Sequence, residues 1–222
     1  MSNPLPALSL LETRVLGVLV EKQHTVPDSY PLTLNALVSG ANQKTSRDPV
    51  IEATEAEIQA TIDHLKSLSF VMESSGGRVM RYAQNVGKVI GVPPQSVALL
   101  AILFLRGPQT AGELRINSDR LHKFGDILAV EGFLRELAER SDGALVRELP
   151  KQAGARETRW VHLMSGEPSI PAPAASSFAP GADAVSVSEL ASMRANIDQL
   201  QREVAELRET VARLERDLGA PS

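Results

Sequence analysis

The chain has 222 residues, 43% apolar and 23% charged, with a net charge of −4 at neutral pH. That balance is enough for one large domain or two small ones, and it removes any blanket electrostatic case for nucleic acid. Absence of cysteine excludes disulfides, thiolate metal sites, iron–sulfur clusters and thiol nucleophiles.

The first predicted element is a helix whose apolar face carries Leu8, Leu11, Val15, Leu16, Val18 and Leu19. A turn at Thr25-Val26-Pro27 ends it. After Pro31 a second apolar stretch holds Leu32, Leu34, Leu37 and Val38, and a polar loop runs from Asn42 to Val50. Thr54 with Glu57 three residues on forms a capping box, opening a third helix with Ile58, Ile62, Leu65 and Leu68 inward. Phe70 to Met72 and Val79 to Tyr82 flank Gly76-Gly77, the pattern of a β-hairpin.

The same order follows again. Ser96 to Leu105 is an apolar helix stopped by Gly107-Pro108, and Thr110 caps a short helix through Leu114. Ile116 to Gly125 is a longer connection. Ile127, Val130, Leu134 and Leu137 mark a third helix, and Ala144 to Leu149 and Thr158 to Leu163 flank a loop with Gly154. Both final strands carry Arg, two residues, Arg and an aromatic: Arg78 to Tyr82 and Arg156 to Trp160. Three helices and a hairpin, twice, predict a mainly α chain with small β-hairpins (α+β). It is organised as two tandem winged helix-turn-helix domains, 1–86 and 92–164.

Residues 165–185 are a Pro/Ala/Ser-rich linker. Over 186–219, Leu190, Met193, Ile197, Leu200, Val204, Leu207, Val211, Leu214 and Leu218 alternate spacings of three and four. β-Branched Ile197, Val204 and Val211 at one core position, with Leu200, Leu207 and Leu214 at the other, predict a parallel two-stranded coiled coil and a homodimer. The alternative is a helix that folds back on the chain's own globular part.

Three strings resemble the bacterial YceH-like family: Glu21 to Asn35 (EKQHTVPDSYPLTLN), Asn42 to Val50 (NQKTSRDPV) and Arg106 to Arg115 (RGPQTAGELR). The resemblance spans about residues 8–167 and extends to the C-terminal heptads. It implies tandem winged helices and carries no assigned functional residues. Ala41 departs from the cysteine such proteins often have there, so thiol chemistry is absent at that position.

Catalytic and metal signals are weak. His24, His64, His122 and His162 stand at no metal-ligand spacing, and Gly76-Gly77 is not followed by a helix as a phosphate loop requires. No catalytic residue, metal or cofactor is expected, and the chain reads as non-enzymatic. Met1 to Leu11 has neither a basic nor an apolar leader segment, and the run Val97 to Leu105 is far short of the roughly 20 residues that span a bilayer. A cytoplasmic protein without membrane contact is expected.

A winged helix usually reads DNA with its third helix. Here both are acidic: Glu52, Glu55, Glu57 and Asp63 oppose Lys66, and Asp126, Glu131, Glu136 and Glu139 oppose Arg135 and Arg140. Phosphate attraction supplies most non-specific affinity, so these helices disfavour a duplex. Bases concentrate instead in the loops and the second wing: Lys44, Arg47, Arg115, Arg120, Lys123, Arg147, Lys151, Arg156 and Arg159. Two functions follow. One is a DNA-associated regulatory protein contacting phosphates through these nine residues. The alternative is an adaptor whose winged helices dock a protein partner.

Overall fold

The computed structural model describes residues 6–75, 79–151 and 156–168, which belong to one compact unit. The expected linker from residue 169, the expected coiled coil and the expected hairpin turns at Gly76-Gly77 and Gly154 lie outside the described residues.

The fold is α+β, with seven α-helices and two antiparallel hairpins among the described residues. The first half runs α1 (Leu10–Thr25), a 3-10 turn (Pro27–Ser29), α2 (Leu34–Ala41), α3 (Glu55–Ser67), β1 (Val71–Ser75) and β2 (Met80–Gln84). The second runs α4 (Val86–Ile90), α5 (Pro94–Arg106), α6 (Ala111–Asn117), α7 (Ile127–Ala138), β3 (Val146–Glu148) and β4 (Trp160–His162). Helix α4 was not anticipated. It is one short turn-pair with Val86 and Ile90 buried, closed by Gly91 at φ +65°, a left-handed position that suits glycine.

Local chemistry accounts for the helix starts. Thr54–Glu57 and Thr110–Glu113 form capping boxes, so two backbone donors are satisfied at each start. Ser9–Glu12 forms a third, which places the start of α1 after Leu8. Leu8 is buried but non-helical, and its N–H donates to Met164 O at 2.7 Å. Helix α6 continues to Asn117, three residues beyond the predicted end.

Helices α1 and α5 are the centre. Residues 12–20 of α1 and 96–105 of α5 are buried without interruption. Their close approach depends on Gly17, where a Cβ would stand 2.8 Å from Leu105 Cγ. Helix α2 reaches α1 in the same way: a Cβ on Gly40 would stand 2.6 Å from Val18 Cγ1. One apolar core therefore runs from Leu8 to Met164 through both halves.

The internal repeat has a physical counterpart. Leu32 pairs with Tyr82 in an antiparallel bridge, and Gln109 pairs with Trp160. In each half the residue just before the cap of α2 or α6 thus bridges to the outer side of the hairpin's second strand. The arginine preceding each aromatic secures that segment: Arg81 donates to Pro31 O at 2.7 Å and Arg159 to Pro108 O at 2.9 Å. Thr33 and Thr110 then cap α2 and α6. A Pro-x-Thr string marks both places, a repeat signal the sequence reading did not use.

One apolar residue departs from its expected place. Ile127, predicted inward with Val130, Leu134 and Leu137, is 46% exposed, because it begins α7 where the helix overhangs the surface.

Candidate functional site

The polar loop 42–50 is held from within. Asn42 exchanges two hydrogen bonds with Ala53, donating Nδ2 to its carbonyl at 2.8 Å and accepting its N–H at 2.7 Å. Arg14, fully buried in α1, donates to Ala41 O at 3.2 Å and Pro49 O at 2.6 Å, while its Nε has no partner among the described residues. Burial, and next the neighbouring Arg47, lower the Arg14 pKa; Asp48 opposes them.

Arg47 is a second buried guanidinium. It donates to Glu21 at 2.7 and 3.2 Å and to Gly40 O at 3.2 Å. Burial alone would push the Glu21 carboxyl up, but the Arg47 bonds and the Lys22 charge outweigh it and hold its pKa below the ordinary value. A guanidinium spent on this pair is not offered to a phosphate. Arg47, among the nine bases expected to contact phosphate, is thus buried and bonded within the first half.

The same loop reaches the second half. Asp48 N–H donates to Leu105 O at 2.8 Å, and Arg106 donates to Ser46 Oγ at 2.7 Å. Beside this junction is a cleft of about 330 Å³ lined by Ser46, Asp48, Arg106, Gln109, Asn117 and Arg159, among others. Gln109 is buried and accepts from Asn117 at 2.6 Å. The three strings that carried the family resemblance, separated in sequence, meet here. Asp48 and Ser46 join the halves there, while Asn42 and Arg47 tie the loop to the first half.

The remaining predicted bases separate into two groups. Arg147 is ion-paired with Glu167. Arg159, besides its bond to Pro108 O, lies 3.5 Å from Glu113. Both are tied to structural partners, as Arg47 is. Lys44, Arg120, Lys123, Lys151 and Arg156 are exposed and Arg115 half-buried, and none has an ion-pair partner among the described residues.

The surface of the second half holds a feature the sequence reading missed. Ile116 on α6 and Leu128 on α7 are each 73% exposed, and Ile127, next to Leu128 in the chain, is 46% exposed. Ala129 and Gly132 continue the exposed side of α7. Isolated exposed apolar residues are ordinary, but an apolar cluster on one face marks an interaction surface. Leu128 could have been flagged as an apolar residue outside the α7 core spacing of Val130, Leu134 and Leu137.

Among the described residues there is no cluster of three or more His, Asp or Glu that would hold a metal ion, and no helix long and apolar enough to cross a membrane. His162 in β4 is largely buried edge-to-face against Phe104, with ring centroids 4.9 Å apart. Burial lowers its pKa to about 4, and its Nδ1 has no hydrogen-bond partner among the described residues.

A family model described as "Protein of unknown function, DUF480" matches residues 8–155. Similar proteins include a UPF0502 protein of Dechloromonas aromatica, 57% identical over 208 residues, covering 94% of this chain and 96% of that protein. A UPF0502 protein of Leptothrix cholodnii is 56% identical over 216 residues, covering 96% of each. One of Burkholderia vietnamiensis is 54% identical over 212 residues, covering 96% of this chain and 89% of its own length.

Proposed function

The chain belongs to the bacterial DUF480/UPF0502 family, and from that premise and its surface chemistry we propose that it is a non-enzymatic, tandem winged-helix docking protein. Its second half receives a protein partner. The observation that carries this reading is the exposure of three large apolar side chains in the second half, Ile116, Ile127 and Leu128. A DNA-reading third helix needs polar and basic side chains toward the groove. The exposed start of α7 offers isoleucine and leucine instead, and α3 presents Glu55, Glu57 and Asp63. Apolar surface of this kind gains free energy by leaving water, at roughly 25 cal/mol per Å² buried. Dimerisation through residues 186–219 belongs to the same proposal and would double the number of docking faces.

A second reading, duplex association, is favoured by Arg120, Lys123, Lys151 and Arg156, which are exposed without ion-pair partners among the described residues. One experiment separates the two. Full-length protein and its Leu128→Asp variant are used to capture partners from native lysate, with and without nuclease. Both proteins are also titrated with generic duplex by fluorescence anisotropy at several salt concentrations. Docking predicts protein partners that survive nuclease and disappear in Leu128→Asp, with weak duplex affinity equal in both proteins. Partners lost to nuclease, together with duplex affinity falling steeply with salt, would establish the DNA reading instead.

A further inference from the structure

The cleft of about 330 Å³ at the junction of the halves is of a different kind from the exposed apolar residues. Pro108 is the one apolar side chain lining it; the others present guanidinium, carboxylate, amide or hydroxyl groups. None is aromatic, so a nucleobase would find no ring to stack on. The volume suits a small molecule.

Much of the lining is already engaged. Arg47 is spent on Glu21 and the Gly40 carbonyl. Gln109 accepts from Asn117, and Glu113 accepts the Thr110 N–H at 2.9 Å. Arg106, half-buried at the end of α5, is the exception. It donates one N–H to Ser46 Oγ. Its remaining donors have no partner among the described residues, and none of its nitrogens is a buried orphan. It makes no ion pair among the described residues. Ser46 itself is held at φ +60°, a left-handed conformation that is costly for a residue with a Cβ. Such positions persist only where the surroundings enforce them, and they cluster at ligand sites.

Cations outnumber acids here. The cleft and the groups directly behind it hold four guanidiniums, Arg14, Arg47, Arg106 and Arg159, against three carboxylates, Glu21, Asp48 and Glu113. Arg14 is fully buried and bonded only to the Ala41 and Pro49 carbonyls, with no ion pair among the described residues. A buried charge is screened weakly, so the surplus is felt at the cleft.

We infer that the junction cleft binds a small hydroxylated oxyanion, a sugar phosphate or a hydroxy acid, with Arg106 taking the oxyanion. A guanidinium offers paired N–H groups that match phosphate and carboxylate alike. Arg159 adds its charge from the hairpin side. Asn117 and the Asp48 carboxylate, which has no ion pair among the described residues, accept the ligand's hydroxyls. A free amino acid is disfavoured, because a zwitterion brings no net charge to balance the surplus. The ligand would touch Ser46 and Asp48 of the first half and Arg106 and Asn117 of the second, so its binding stabilises the junction. This site goes beyond the docking reading and does not rest on it.

Full-length protein is titrated by isothermal calorimetry with glucose 6-phosphate, glycerol 3-phosphate, gluconate, tartrate, glucose, inorganic phosphate and glutamine. At least one of the first four is expected to bind with a Kd below about 1 mM and to raise the melting temperature. Glucose and inorganic phosphate should bind at least about tenfold more weakly, and which of the four binds separates phosphate from carboxylate recognition. Arg106→Gln weakens the bound compound by about tenfold or more, and Arg106→Lys, which keeps the charge, by less. Ser46→Ala removes the same bond between the halves but leaves the guanidinium, and should retain binding within a factor of about three.

No saturable binding of the first four compounds up to about 10 mM overturns the inference. So does inorganic phosphate or glutamine binding as tightly as they do, or an unchanged affinity in Arg106→Gln. Equal losses in Arg106→Gln and Ser46→Ala would show that the arginine only holds the junction, and also overturn it. A generic duplex that displaces the compound and is itself weakened by Arg106→Gln overturns it in favour of a nucleic-acid backbone.

Discussion

Arg47 and His162 show how a single side chain takes its role from what surrounds it. An exposed arginine in a polar loop is a phosphate ligand; buried against Glu21 and the Gly40 carbonyl, it is a clasp on the first helix. Breaking a buried pair leaves an uncompensated charge behind, which is why such residues are more expensive to alter than exposed ones. His162 sets the response to acid. Burial lowers its pKa to about 4 in the folded protein against an ordinary 6.5, so the folded state excludes a proton the unfolded chain takes up. Stability is therefore full above pH 6.5 and declines as pH falls toward 4, by up to about 3 kcal/mol. Glu12 and Glu21 act in the same direction at lower pH. Burial raises both, but hydrogen bonds and neighbouring cations leave both below their ordinary values, so their contribution is lost as they protonate. Urea midpoints measured between pH 7 and 4 should fall for the native protein and fall less for His162→Gln. Parallel curves for the two proteins would show that the histidine is not responsible.

Close contact between helices depends on two glycines with different neighbours. At Gly17 the obstacle to a Cβ is the branched end of Leu105, which has some freedom to rotate. At Gly40 it is Cγ1 of Val18, a β-branched side chain in the fully buried part of α1, with one strongly preferred rotamer in a helix. Alanine at position 40 would gain about 1 kcal/mol of helix propensity. Overpacking against Val18 costs about 1–3 kcal/mol and exceeds that gain. Gly40→Ala is therefore expected to lower the melting temperature, and Val18→Ala in the same chain to recover part of the loss. A double-mutant cycle by chemical denaturation measures the coupling; additive effects would mean that α2 shifts freely away from α1. The hairpins follow a different logic. Each is short, and each gains a bridge from the segment before a helix, secured by Arg81 in one half and Arg159 in the other.

In the molecule as a whole, the described residues form one core shared by two similar halves, while the heptads lie outside those residues. The unbroken three-four spacing from Leu190 to Leu218 predicts that the full chain is a dimer and that a chain ending at Ser165 is a monomer. Light scattering on both decides it. A monomeric full chain at tens of micromolar would remove the coil from the account and leave one docking face per molecule.

Patterns within a few residues were readable directly. The Thr54 and Thr110 capping boxes, the inward Ile58, Ile62 and Leu65, and the hairpin positions each depend on neighbours three or four residues away or directly across a turn. Periodicity reports such local geometry well. It does not report which surfaces meet. Helix α1 is buried on all sides because α2 and α3 cover one flank and α5 the other, and α5 begins nearly seventy residues after α1 ends. The burial of Arg47 was illegible for the same reason: its partner Glu21 lies 26 residues back. Leu128 fits no inward spacing, yet how far it and Ile116 are exposed follows from how α6, α7 and the second hairpin pack. Local spacing constrains the elements, whereas the burial of a charge and the exposure of an apolar face follow from contacts between segments far apart in the chain.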